Sequence, residues 1–319
     1  MTEEKAKLPD AQAVNTSSLP EVVNFLEEKM KPVIIEVTEP KTGVKGLVVV
    51  SGDCINPLTD GAFNDYRSEP KRRRGKAVMM DIPSFIGHAN RFKDADSVIF
   101  ADNRRESPSL RAVLNYHKEG SEGDPRFGDH TTQFNFPMSD EWIAWMELNG
   151  AQQTSGDFAR FLEDHIVDVM PVDTVQFGEG EDDAKNFVDL LGGRGKLAEP
   201  SKLMEIANGL QVLESSNVKQ AQNLSTGEMK IEFESEHQTM DTAGQSMTVP
   251  SLFAIGIPVF ANGPAYRILA RLRYRKSGPK VVFFYELWRT DQVFDHAFDE
   301  ATELAGSETG LPVLLGLPE

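Results

Sequence analysis

The stretch YRILARLRYRKSGPKVVFFYELW, residues 266–288, decides the fold class. In its first ten residues Tyr266, Ile268, Ala270, Leu272 and Tyr274 form one face of an extended chain, with Arg267, Arg271, Arg273 and Arg275 on the other. Successive strand side chains point to opposite sides. A second apolar run, VVFFYELW, begins at Val281. Between the two lie Lys276-Ser277-Gly278-Pro279, and this spacing predicts an antiparallel hairpin. After the hairpin, a helix is predicted from Asp291 to Ala305, stopped by Gly306, followed by the apolar tail LPVLLGLPE. Before it, SLFAIGIPVFA and EMKIEFES read as strands, preceded by a helix from Ser201 to about Gln222.

The strand EMKIEFES carries Glu228, Lys230, Glu232 and Glu234 on one face, with Glu236 continuing the series beyond it. Opposed to the arginines on a neighbouring strand, these acids would make an ion ladder, each pair contributing about 0.2–1 kcal/mol. The expected ladder joins Glu228, Glu232 and Glu234 to Arg267, Arg271, Arg273 and Arg275.

The N-terminal half repeats the mixture. Ser18, Pro20 and Glu21 form a capping box at the start of a helix. VIIEVT and GLVVV follow as a hairpin, and residues 51–75 read as a long loop. In KAVMMDIPSFIGHANRF a short strand leads into a helix entered through Asp81 and Pro83. SVIFAD, SLRAVLNYH and HTTQFNF are strands; Ser139 caps a helix bearing Trp142 and Trp145, and another helix starts at Ser155. This order predicts an α+β protein of two lobes, each a largely antiparallel sheet packed with helices. The expected division is a tail over 1–17, a lobe over 18–170, an acidic, glycine-rich connector over 171–200, a second lobe over 201–305 and the apolar tail over 306–319.

At 319 residues the chain is long enough for more than one core. Its 33 basic residues against 50 acidic ones, a net charge of −17, disfavour a protein that coats duplex DNA, because phosphate binding is driven by counterion release at Lys and Arg. Any nucleic-acid contact must be local. The single cysteine, Cys54, allows no disulfide within the chain and no thiolate cage. Neither a signal peptide nor an apolar run of membrane-spanning length is visible, so the expectation is a cytoplasmic protein without a membrane partner.

Against this acidic background RSEPKRRRGK, residues 67–76, concentrates Arg67, Lys71, Arg72, Arg73, Arg74 and Lys76. The patch suits carboxylates of the same or another subunit, or single-stranded nucleic acid, although aromatic residues for base stacking are sparse. LLGGRGKLAEP resembles a phosphate loop but has Leu190 and Leu197 where glycine and a hydroxyl are needed. Glu228-Met229-Lys230 matches half of a metal-dependent nuclease site, with no aspartate placed beside it by sequence. The six histidines show no helical pairing suited to zinc. No catalytic residue, metal ligand or cofactor is therefore assigned.

The segments RRRGKAVMMDIPSFIGHANRF, VIFADNR, SLRAVLNYH, HTTQFNFPMSDEWIAWM, DFARFLEDHI and VVFFYELW, in that order, resemble the YfdQ-like family of uncharacterised phage and prophage proteins, over residues 70–305. The resemblance implies a viral or prophage origin and a role in the host cytoplasm; it implies no reaction. The resulting expectation is a non-enzymatic protein that assembles with itself. The apolar C-terminal tail, the basic loop and the acidic run 179–183 would serve as complementary contacts. The alternatives are a nucleic-acid-binding accessory to phage replication or recombination and, less favoured, a metal-dependent nuclease.

Overall fold

The computed structural model describes residues 19–38, 45–51, 54–58, 68–70, 72–120, 123–178, 181–191, 197–213, 217–223, 229–234, 246–277 and 280–318. The chain divides into two compact units, Met1–Arg73 and Arg74–Glu319. The cap expected at Ser18 and the tail over 1–17 lie outside the described residues.

The first unit contains helix α1 (Leu19–Met30) and strands β1 (Val33–Thr38), β2 (Lys45–Ser51) and β3 (Cys54–Leu58) in one antiparallel sheet, order β1-β2-β3. The expected hairpin forms in register from Val33 opposite Val50 to Thr38 opposite Lys45. The loop expected from residue 51 is corrected at its start, because β3 pairs with β2. Pro57 there reads as loop chemistry, yet it sits on an outer strand, where a missing N–H can face away from the ladder.

The second unit begins with β4 (Gly75–Met79), α2 (Ile82–Phe92), β5 (Val98–Asp102), β6 (Ser109–Val113) and β7 (His130–Asn135). Helix α3 (Asp140–Glu147), β8 (Gln153–Thr154), α4 (Ser155–Asp164) and α5 (Asp182–Leu190) follow. Then come α6 (Pro200–Leu213), β9 (Asn217–Asn223), β10 (Met229–Glu234), β11 (Ser246–Val249) and β12 (Leu252–Pro258). The unit closes with β13 (Ala265–Ser277), β14 (Lys280–Leu287), α7 (Thr290–Thr309) and β15 (Val313–Leu315). The architecture is α+β: sheets of order β15-β5-β6-β7-β4, β12-β13-β14-β8 and β11-β10-β9, antiparallel except where β4 joins β7 and β15 joins β5.

Local chemistry explains the helix starts. Asp81 accepts the Ser84 N–H at 2.6 Å and Ser139 accepts the Trp142 N–H at 3.0 Å, each satisfying a donor that the first helical turn leaves unpaired. The hairpin of residues 266–288 forms as its spacing predicts, β13 antiparallel to β14 from Ala270 opposite Leu287 to Ser277 opposite Lys280. Ile268, Ala270 and Leu272 enter the main core with Phe253, Trp145, Phe283 and Tyr285. That core also contains Phe85, Leu110, Phe158 and Phe298, so side chains from both halves of the sequence share it. Leu269 points the other way, into a smaller apolar cluster with Val175, Ala184, Val188 and Leu197. The sheet is thus covered on both faces at this point.

Several sequence readings need correction. The stretch expected as a connector contains α5, whose Ala184 and Val188, four residues apart, are buried while acidic side chains face out. The helix expected to reach Gln222 ends at Leu213 and gives way to β9, which pairs antiparallel with β10. Gly306 does not stop α7, which ends at Gly310 in the left-handed conformation (φ 63°). The C-terminal tail is part of the sheet. Leu311 is buried, the Ile99 N–H donates to the Pro312 carbonyl at 3.0 Å, and the Gly316 N–H donates to the Ala101 carbonyl at 2.8 Å.

Candidate functional site

The polar and concave features of the second unit gather where the start of β13 meets α7. Tyr266 lies at their centre, since alternation along β13 turns its ring toward the helix. Its hydroxyl donates to Glu300 Oε2 at 2.6 Å, and its ring meets that of His296 edge-on at 5.8 Å. Burial, then the hydrogen bond to Glu300, raises its pKa, so the phenol is a proton donor throughout the physiological range. One cleft opens on each side of this residue.

The larger cleft has a volume of about 600 Å³ and lies between the start of α2, the loop 260–264 and the later turns of α7. Phe134, Phe136 and Phe260 form its floor, with ring centroids 4.8 Å and 4.6 Å apart in sequence. Its two ionisable carboxyl groups are Asp81 and Glu300. The hydrogen bond from Ser84 holds the Asp81 carboxyl below the usual range, so it is charged at neutral pH. Asn262, at the cleft wall, has φ 63°, a left-handed conformation that few side chains other than Asn tolerate.

The smaller cleft, of about 360 Å³, is lined by charged side chains set among apolar ones. Arg267 donates to Glu181 and to the Gln176 carbonyl, and its guanidinium stands 4.8 Å from the centre of the Phe177 ring. Arg289 Nη1 donates to Asp183 Oδ2 at 2.7 Å, with its guanidinium 4.7 Å from the Trp288 ring centre. Arg267 is the main reason the Glu181 carboxyl is held below its ordinary range. This cleft pins the segment before α5 onto β13 and the start of α7.

The residues expected from sequence are placed differently from one another. Arg67, Lys71 and Glu228 lie outside the described residues. Arg72 and Arg73 end the first unit, whereas Arg74 and Lys76 open the second and are exposed, Lys76 on the outer strand β4. The ladder partners expected across neighbouring strands are corrected. Strand β10, with Glu232 and Glu234, pairs with β9 and β11, while β13 pairs with β12 and β14. The arginines meet other groups instead: Arg267 takes Glu181, and Arg275 donates to Gln152 Oε1 at 2.6 Å. Arg271 stands in register with Glu286, and Arg273 Nε lies 3.1 Å from Glu286 Oε2, an ion contact without hydrogen-bond alignment. The acidic run expected to meet the basic loop is likewise engaged within the chain through Glu181 and Asp183.

Residues 61–318 match one family model, described as Uncharacterized conserved protein (DUF2303). The chain belongs to this family. The match includes both clefts and begins after β3, so α1 and the three-stranded sheet precede the family's span. No curated protein and no solved structure matches the chain.

Sequence reasoning missed Tyr266, Glu300, Asp183 and Arg289 as neighbours. One signal was available: a tyrosine on an apolar strand face needs a partner for its hydroxyl. Among the described residues no cluster of three or more His, Cys, Asp or Glu is placed to hold a metal ion, and no helix is long and apolar enough to cross a membrane.

A third feature belongs to the first unit. Every residue of β1 is exposed, including Ile34 at 60%, and Val23, Leu26 and Met30 of α1 are exposed as well. Exposed apolar surface on this scale is a feature of interaction surfaces in general.

Proposed function

We propose that the protein is a non-enzymatic accessory protein of a phage or prophage, acting in the host cytoplasm as a homo-oligomer. The observation that carries the assembly is the apolar surface of β1. This strand is the outer one of its sheet, and Val33, Ile34, Ile35 and Val37 project from both of its faces. A unit this small closes little core of its own. A second copy is the occupant that fits, because an open strand edge is a template for the same strand, paired antiparallel about a two-fold axis. Glu36, the only charge on β1, is neutralised by Lys45 at 2.7 Å and so does not oppose that pairing.

The viral setting rests on the sequence resemblance to the YfdQ-like proteins. The non-enzymatic reading is supported by the smaller cleft, whose acids and arginines are spent on one another. A second reading, binding of single-stranded nucleic acid, is favoured by the exposure of Arg74 and Lys76.

Light scattering on the full chain at micromolar concentration tests the assembly. We expect a multiple of 35.4 kDa, reduced in an Ile34→Lys variant. A parent protein that is monomeric overturns the reading, and a monomer that also shifts labelled single-stranded DNA puts the nucleic-acid reading in its place.

A further inference from the structure

We propose that the larger cleft of the second unit binds an organic cation with an apolar body, a function separate from assembly. The site combines an aromatic floor with an acidic wall. Phe134, Phe136, Phe260 and Tyr266 supply four rings, Asp81 and Glu300 supply two carboxylates, and no basic side chain lines the cavity. Its volume of about 600 Å³ lies within the roughly 300–1,000 Å³ usual for small-molecule sites.

The charge pattern selects among ligands. An anion would meet two like charges. A neutral apolar molecule would fill the floor but strip water from carboxylates without replacing it, which is unfavourable. A cation attached to an apolar body satisfies both parts. Its charge lies against the carboxylates and the negative ring faces, and its body covers the phenylalanines.

The carboxylates are held ready for this. Tyr266 occupies Oε2 of Glu300, and among the described residues no partner of Oε1 is found, so one oxygen is oriented and the other is left to receive a donor. Asp81 caps α2 by accepting the Ser84 N–H at Oδ1, and its carboxylate is exposed at the wall of the cleft. At the rim, Met80 is 87% exposed and Leu304 47%, apolar side chains that a ligand entering the cleft would cover. Asn262 holds its left-handed conformation on the opposite wall, where the turn closed by the Gly263 N–H and the Phe260 carbonyl at 2.9 Å brings Phe260 to the floor.

Calorimetric titration of the full chain with benzyltrimethylammonium, benzyl alcohol and benzenesulfonate separates the possibilities. We expect the cation to bind at least about tenfold more tightly than the alcohol, a margin within the range of a desolvated cation over aromatic rings, and the sulfonate not to bind. Glu300→Gln, at an exposed position, should leave the fold intact by circular dichroism and reduce the preference for the cation, with Asp81 and the rings supplying what remains. Ala301→Trp, which fills the cavity, should abolish binding altogether. Equal binding of alcohol and cation, no binding of the cation up to millimolar concentration, or a preference unchanged in Glu300→Gln would each overturn the proposal.

Discussion

Glu181 shows how one side chain can belong to two readings. In the sequence it is part of an acidic, glycine-rich run, a natural partner for a basic loop elsewhere. In the structure its carboxylate accepts from Arg267 and from the Gly178 N–H, just before α5. These bonds favour the charged form, so the folded-state pKa is below the ordinary value of 4.5. The stabilisation is therefore complete above the unfolded pKa and is lost as pH falls through the folded one. Acid unfolding followed by tryptophan fluorescence should show it. Glu181→Gln should be less stable than the parent at neutral pH, and the difference should shrink as the pH drops below the ordinary value of 4.5 and through the lowered folded-state value. A difference that stays constant down to acid pH would mean the pair does not hold the segment. The carboxylate is partly open to water, so the effect should be modest.

At the scale of the element, β15 is the addition that local patterns conceal. Helix α7 runs through Gly306, and a Cβ built there would stand 2.9 Å from Val313 Cγ2 of β15. Glycine is present because the returning strand crosses the helix closely, not because the helix must stop. In an isolated helix Gly→Ala would gain roughly 0.5–1 kcal/mol. Here the substitution should lower stability by about 1 kcal/mol in urea denaturation, since the added methyl must displace the Val313 side chain. Val313→Ala in the same chain should return most of that loss, and hydrogen exchange should report it at Ile99, whose N–H is held by the Pro312 carbonyl. If Gly306→Ala stabilises the protein, the close crossing is not real. Helix α5 makes the same point: only two of its nine residues are buried, enough to dock it and too few to stand out in a polar stretch.

For the whole molecule, the proposed assembly raises the question of which forces would act between copies. The tail that gave the first reason to expect assembly is partly used within the chain: Leu311 is buried and Val313 is half-buried, while Leu314, Leu315 and Leu317 are exposed on or beside the outer strand β15. The acidic partners expected for the basic loop are engaged as well. In the proposed assembly, apolar contact through β1 would then be the stronger term, strengthened rather than screened by salt. Raising ionic strength from about 0.05 M to about 0.5 M should leave the mass by light scattering unchanged, whereas exposed ion pairs would weaken over that range. Loss of mass in high salt, reproduced by replacing Arg72, Arg73 and Arg74 with Ser, would return the interface to the basic loop.

What the sequence determined by itself was local: the alternation in 266–275, the antiparallel hairpin of β13 with β14, the caps at Asp81 and Ser139, and with them the α+β class. Each is written within a few neighbouring residues, because side-chain direction, turn geometry and capping depend on local backbone angles. What only the tertiary structure decided was pairing at a distance. Strand periodicity says which side a residue faces but not which strand lies beside it, so the arginines of β13 could not be assigned to Glu181, Glu286 and Gln152 in advance. The larger cleft arises in the same way, from Asp81, Phe134, Phe260 and Glu300, residues far apart in the chain. Packing brings them together, and no local pattern records which distant segments share a core.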